Sequence, residues 1–189
     1  MKQIETQQNK EKKESRNKTI IGIILAVIML LSVAGYGLLS SEKTSEISNE
    51  VKYNNLNFYK QGDLWQTEIS GYNFYFHYLP NETSSINTKK TLNNYSGKPL
   101  YFTGEGEAEQ EIARNLYSNK FVLRIQKACL QNENCTENLP VKNCSDNVII
   151  VREEQDSSII REEDNCIFII SNDTIREADA FLFRILGIK

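Results

Sequence analysis

Histidine occurs once in the 189 residues, at position 77, and cysteine is absent from the first 128. The first scarcity excludes histidine-based metal sites by count and leaves a serine nucleophile only one candidate base. His77 itself lies in an aromatic strand with Tyr75 as its same-face neighbour, the setting of an ordinary strand-surface side chain. Positive charge is also short where a polyanion would need it. Residues 1–19 hold six basic and three acidic residues, leaving sixteen basic and twenty-two acidic in the remainder, a balance near minus 6. With no basic stripe to displace counterions, nucleic acid is not an expected partner. Glycine is missing from Asp146 to Asp156, so that acid-rich stretch lacks the turn a calcium loop requires. The chain has no internal repeat, and close C-x2-C pairs of the kind that build zinc knuckles are absent.

What the chain does have is an uncharged run from Ile20 to Leu39, twenty residues rich in Ile, Leu and Val. At about 1.5 Å per residue such a helix spans a hydrocarbon core of about 30 Å. Lys2, Lys10, Lys12, Lys13, Arg16 and Lys18 precede it, whereas residues 42–52 mix acids with two lysines. Basic flanks stay in the cytoplasm. The expected organisation is a cytoplasmic tail (1–19), a transmembrane helix (20–40), a polar linker (41–53) and an extracytoplasmic domain (54–189). A cleaved signal peptide is the competing reading, with Ser32-Val33-Ala34 as its small-x-small site. Apolar residues resume through Leu38 and Leu39, and the basic leader is long for a secretory signal, so the uncleaved anchor is preferred. The leader shows no clear processing site of the pilin kind before the apolar run.

All four cysteines, Cys129, Cys135, Cys144 and Cys166, fall in the outer domain. An even count in an oxidising compartment reads as two disulfides. Three pairings are formally open. Residues 147–152 and 158–162 look like arms of a hairpin centred near Gln155, and Cys144 and Cys166 are equidistant from that centre. Cys144 is therefore paired with Cys166, and Cys129 with Cys135. Sequons stand at Asn81, Asn94, Asn134, Asn143 and Asn172, each a glycan acceptor if it lies on an accessible loop.

The outer domain opens with alternating stretches at 56–59, 64–69 and 72–78, a three-strand meander ended by Pro80. Residues 82–95 suggest a helix of poor apolar spacing, and 100–103 the next strand. Residues 107–117 form an amphipathic helix with Ala108, Ile112, Ala113, Leu116 and Tyr117 on its apolar stripe and acids in its first turn. With a strand at 121–125, residues 72–125 read as β-α-β-α-β with parallel strands. Val148 to Val151 and Cys166 to Ile170 are continuous apolar runs of strands covered on both faces. Thr174-Ile-Arg-Glu177 reads as a capping box opening a last helix, with Ile175, Ala178, Leu182, Ile185 and Leu186 on one face and Gly187 as its stop. The expected fold is a membrane helix followed by a compact mixed-sheet α/β sandwich with about three helices and two disulfides.

No catalytic constellation and no cofactor motif is visible. Glu105, Glu107, Glu109 and Glu111 read as a capping and solvated face, and Glu153, Glu154, Asp156, Glu162, Glu163 and Asp164 as decoration of a hairpin tip. Paired acids hydrolyse glycosides only when fixed across a cleft. Thr103-Gly-Glu-Gly106 sits where phosphate-binding turns lie, but its flanking acids repel an anion. Phe74, Phe76 and Tyr78 share a core-facing side of their strand, leaving Tyr75, with Trp65 nearby, as a candidate contact for a sugar or a partner protein.

Cys144-Ser-Asp-Asn147, Asn165-Cys166 in a buried strand, Ala178-Asp179-Ala180-Phe181 and the ending Ile185-Leu186-Gly187-Ile188 together resemble small membrane-anchored proteins found in archaeal genomes. The anchor and the strand from Tyr72 to Leu79 ending at Pro80 are similar too. The resemblance implies location and fold, and no activity. The expected function is a non-enzymatic binding module that meets another envelope protein or a surface polymer, with a membrane-tethered hydrolase of envelope glycans as the alternative. The expected partner besides these is the lipid bilayer, through Ile20 to Leu39.

Overall fold

The computed structural model describes residues 18, 20–29, 49–104, 106–131, 133–135, 138–156 and 158–189. The chain divides into two units, Met1–Ile47 and Ser48–Lys189. In the first, residues 20–29 are helical and exposed. No helix among the described residues is long and apolar enough to cross a membrane. The rest of the apolar run, the Ser32-Val33-Ala34 site and the tail before Lys18 lie outside the described residues.

The second unit starts with four antiparallel strands in sequential order, β1 (Glu50–Tyr53), β2 (Leu56–Gln61), β3 (Leu64–Ile69) and β4 (Tyr72–Phe76). Two-residue turns join them, the shortest connection a twisted hairpin takes. The meander thus has four strands rather than three. Residues 50–53, assigned to the linker from sequence, form the extra one, because Val51 and Tyr53 alternate inward against the core while Glu50 is exposed. Phe58, Phe74 and Phe76 are buried on the inner face. Tyr59, Gln66 and Tyr75 stand abreast on the outer face.

A five-stranded mixed sheet follows. Its strands are β5 (Pro99–Thr103), β6 (Arg124–Lys127), β9 (Val148–Glu153), β10 (Ser158–Glu163) and β11 (Cys166–Ser171), in the order β10-β11-β9-β5-β6. A parallel pair, β7 (Cys129–Leu130) with β8 (Val141–Lys142), stands apart. The helices are α1 (Leu92–Tyr95), α2 (Glu107–Leu116) and α3 (Thr174–Ile185). The mixed α/β architecture with its helices and two disulfides agrees with the sequence reading.

Several local expectations are corrected. Residues 82–95 are not one helix. A 3-10 turn at Pro80–Glu82 and the single turn of α1 bracket an irregular segment. That segment attaches to β10 through Glu162, whose Oε2 accepts from Thr88 Oγ1 at 2.5 Å and from the Lys89 N–H at 2.8 Å. The β-α-β-α-β reading fails at its first strand, since β4 belongs to the other sheet; only β5-α2-β6 is a parallel crossover. The sixth strand lies at Arg124–Lys127 rather than 121–125. The hairpin expected between 147–152 and 158–162 does not form either. β11 inserts between them, antiparallel to β10 and parallel to β9. The disulfides nevertheless join Cys144 to Cys166 and Cys129 to Cys135. The reason is the parallel register of β9 and β11, which sets Val148 opposite Cys166, while the Asn165 N–H donates to the Cys144 carbonyl at 3.0 Å.

Val148 to Val151 and Cys166 to Ile169 are buried on both faces. On one side Ile149, Val151, Ile167 and Ile169 join the main core with Phe58, Phe76 and Phe183. On the other Val148, Ile150, Cys166 and Phe168 pack with Tyr101 and Ala128 beneath Leu130 and Cys144, so the disulfide-stapled loop serves as the second cover. α3 is buried around most of its circumference, with Arg176 and Arg184 exposed. A helix apolar on all sides is one enclosed by layers. Phe183 meets Phe76 of β4 with ring centroids 4.4 Å apart, while the helix also contacts β9, β10 and β11. Its N-cap is Asp173, whose side chain accepts from the Arg176 N–H at 3.0 Å. The capping box expected from Thr174 to Glu177 therefore does not form: the cap lies one residue earlier, and the Glu177 carboxylate accepts from Ser84 and Ser158 instead. Gly187, at φ 72°, ends the helix, with its own N–H on the Arg184 carbonyl and the Ile188 N–H on that of Phe183.

Candidate functional site

β4 is the edge of its sheet, and its free N–H and C=O groups need partners. α2 and the turn that follows it supply them with side chains. Asn115 accepts from the Tyr75 N–H at 2.8 Å and donates to the Tyr75 carbonyl at 2.7 Å, imitating a neighbouring strand. Asn119 donates to the Asn73 carbonyl at 2.8 Å. One turn earlier Glu111 meets His77, with Oε2 at 2.8 Å from Nδ1. The match is geometric: four residues of helix rise about 6 Å, and two residues of strand about 6.6 Å. Residues 111, 115 and 119 therefore keep step with 77, 75 and 73. α3 finishes the seam, Asp179 Oδ2 accepting from the Tyr78 N–H at 2.8 Å.

The seam brings His77, Glu111 and Asp179 together, one ligand atom of each lying within 4.8 Å of the others. Both carboxylate residues are fully buried, while the His77 side chain is about one-third exposed at 34%. Arg114 Nη1 lies 2.8 Å from Glu111 Oε2 and neutralises part of this charge. Burial, and then the charge of Glu111 beside it, hold the Asp179 carboxyl well above the usual carboxylate range. A hydrogen bond from carboxyl to carboxylate adds to the shift, and the backbone N–H groups of Tyr78 and His77 oppose it. As ionised acceptors, Glu111 Oε1 and Asp179 Oδ1 have no protein donor.

Sequence reasoning missed this cluster. It placed Glu111 on a solvated face and His77 on a strand surface, and gave Asp179 no role. In α2 the buried stripe is Ala108, Glu111, Ile112, Asn115 and Leu116, rotated away from the expected Ala113 and Tyr117; Tyr117 is exposed. The available signal was the spacing of Glu111 and Asn115, which fall on the same helical face as Ala108 and Ile112.

Beside the seam lies an open groove of about 490 Å³ lined by Leu64, Tyr72, Asn73, Tyr75, Arg114 and Asn119, among others. Tyr75, singled out from sequence as a contact residue, is on its wall, while Phe74 and Phe76 are core as expected. Trp65 faces inward opposite Phe76 and is not part of the groove. Tyr78 lies beyond β4 and donates its hydroxyl to Asp173 Oδ2 at 2.8 Å. The Gly104 turn has a packing explanation. At φ 92°, a Cβ there would lie 2.1 Å from the Val151 carbonyl oxygen, so β9 demands glycine whatever the turn binds. Of the sequons, Asn81, Asn134, Asn143 and Asn172 are exposed and Asn94 is half-buried.

Comparison with known proteins finds no match, neither a family model nor a curated protein nor a solved structure.

Proposed function

We propose that this chain is a membrane-anchored binding module whose extracytoplasmic domain takes a surface glycan in the groove between β4 and α2. The observation that carries the reading is the composition of that groove. Tyr72 and Tyr75 offer rings, Asn73, Ser118 and Asn119 offer amide and hydroxyl groups, and Arg114 offers a cation. Rings stack on sugar faces, amides meet hydroxyls, and a guanidinium suits a carboxylate or phosphate substituent. The anchor rests on the apolar run and its basic flank, and the outside location on those flanks and on the disulfides. The resemblance to membrane-anchored archaeal proteins supports the same placement.

The glycan hydrolase is the weaker reading. Among the described residues Glu111 and Asp179 are the carboxylate pair that the fold brings together, with the acidity constant of Asp179 raised, and both are sealed beneath the β4 edge with no exposed surface. A glycosidase needs its two acids on either side of a cleft that admits the sugar.

The test is retention of fragmented envelope polysaccharide by the full chain in lipid nanodiscs, compared with Tyr75→Ala. Saturable retention by the wild type that weakens about two- to tenfold in the variant is expected, a stacking contact being worth about 0.5–1.5 kcal/mol. Equal retention by both, or none by either, would reject the groove. A tag at Met1 that survives in the mature membrane-bound protein is expected for the anchor, and its loss with the domain retained would mean a cleaved signal.

A further inference from the structure

We propose that His77, Glu111 and Asp179 form a binding site for one divalent cation of the zinc class, with His77 Nδ1, Glu111 Oε1 and Asp179 Oδ1 as its ligands. Three independent features of the seam point there. Glu111 and Asp179 are completely buried, yet each keeps one oxygen without a protein donor. Their other oxygens are spoken for, Glu111 Oε2 by Arg114 and Asp179 Oδ2 by the Tyr78 N–H. His77 Nδ1 is likewise buried; its one close contact, Glu111 Oε2 at 2.8 Å, lacks hydrogen-bond geometry, and a cation bound at Nδ1 would replace it.

Two buried oxygens that can only accept are held together by a proton or by a cation. The imidazole decides which cation is suited. A mixed nitrogen and carboxylate donor set is a borderline one, fit for zinc or manganese rather than for magnesium or calcium, which prefer oxygen alone. Ligand atoms around zinc at about 2.0–2.1 Å stand about 3.0–3.5 Å apart. The three groups need to tighten only modestly from their present 4.8 Å envelope. The outer supports are also of the kind that fix metal ligands: a guanidinium on one carboxylate and a backbone N–H on the other. The partly exposed face of His77 gives the entry path and leaves room for a fourth ligand from solvent. Arg114 connects this site to the groove, since it both bonds Glu111 and lines the groove wall.

The experiment uses the full chain in nanodiscs, under non-reducing conditions so that the cysteines stay paired, after stripping with a chelator. Zinc chloride is titrated at pH 7.5, with magnesium chloride as comparison, and bound metal is counted after desalting. One zinc per chain is expected, accompanied by a rise in melting temperature that magnesium does not give. His77→Gln removes a ligand from a partly exposed position and is expected to fold, as its circular dichroism will show. It should bind zinc at least about tenfold more weakly and lose the thermal shift. Zinc binding absent from the wild type would overturn the site and leave a shared proton as the link between the two carboxyls. Undiminished binding by His77→Gln would overturn it as well, by showing that the metal lies elsewhere.

Discussion

Replacing Asn115 by alanine should be among the most damaging single changes in this domain, although Asn115 is neither apolar nor charged. Its side chain is fully buried and makes three hydrogen bonds, two with the backbone of Tyr75 and one to the Glu111 carbonyl at 3.0 Å. Alanine would leave the Tyr75 N–H and C=O on the β4 edge without partners. Each buried unsatisfied polar group costs about 1–3 kcal/mol, and the adjoining groove lets water relieve part of that. The expected loss is about 2–4 kcal/mol, a large share of the 5–15 kcal/mol that typically holds a domain together. Asn119→Ala, at the exposed end of the same seam, should cost no more than about 1 kcal/mol. Urea unfolding of the full chain, followed by tryptophan fluorescence from Trp65, measures both. An unfolding free energy for Asn115→Ala within about 1 kcal/mol of wild type would refute the idea that α2 side chains complete the β4 edge.

The raised acidity constant of Asp179 makes a pH prediction. Its carboxyl holds a proton more tightly in the folded state than in the unfolded one, where it titrates near 4. The resulting stabilisation is present below the unfolded value and is lost as pH rises through the folded one, so this group should lower the melting temperature of metal-free protein progressively above about pH 4. Asp179→Asn, which keeps an acceptor for the Tyr78 N–H and a donor for Glu111, should flatten that slope; an unchanged slope would assign it to other groups. Removing the Cys144–Cys166 bridge, which closes a sequence separation of 22 residues, should cost about 2–4 kcal/mol by thermal unfolding of the double alanine variant. Gly104→Ala should cost about 1–3 kcal/mol through its clash with the Val151 carbonyl, and a neutral effect would contradict the close approach of β9.

What could be read from the chain alone was whatever local periodicity encodes. The doubly covered strands announced themselves as unbroken apolar runs at Val148–Val151 and Cys166–Ile170, the helix at 107–117 by its acidic first turn and apolar spacing, and the end of α3 by Gly187. The disulfide pairing was reached by a hairpin that does not exist, because proximity of 144 and 166 in sequence favours both the imagined antiparallel arms and the actual parallel register. The seam was illegible for a physical reason. Burial of Glu111, Asn115 and Asp179 depends on the β4 edge arriving beside two helices, through contacts 40 and 101 residues apart in the chain. On a helical wheel a glutamate near a helix start is favoured by the dipole and reads as solvated. Only the tertiary arrangement reveals that it faces a strand. The proposed cation site escapes a histidine count in the same way, since one imidazole would suffice there with two buried carboxylates to complete the set.

Site-specific photocrosslinking in living cells reports whether a glycan occupies the groove beside β4. A photoreactive residue at position 75 should capture a glycan-bearing product that sugar-cleaving enzymes shift on a gel, while the same residue at exposed Tyr117 captures none. Capture at both positions alike, or at neither, would contradict recognition through this groove. Capture of a protein without sugar would move the reading to an envelope protein partner.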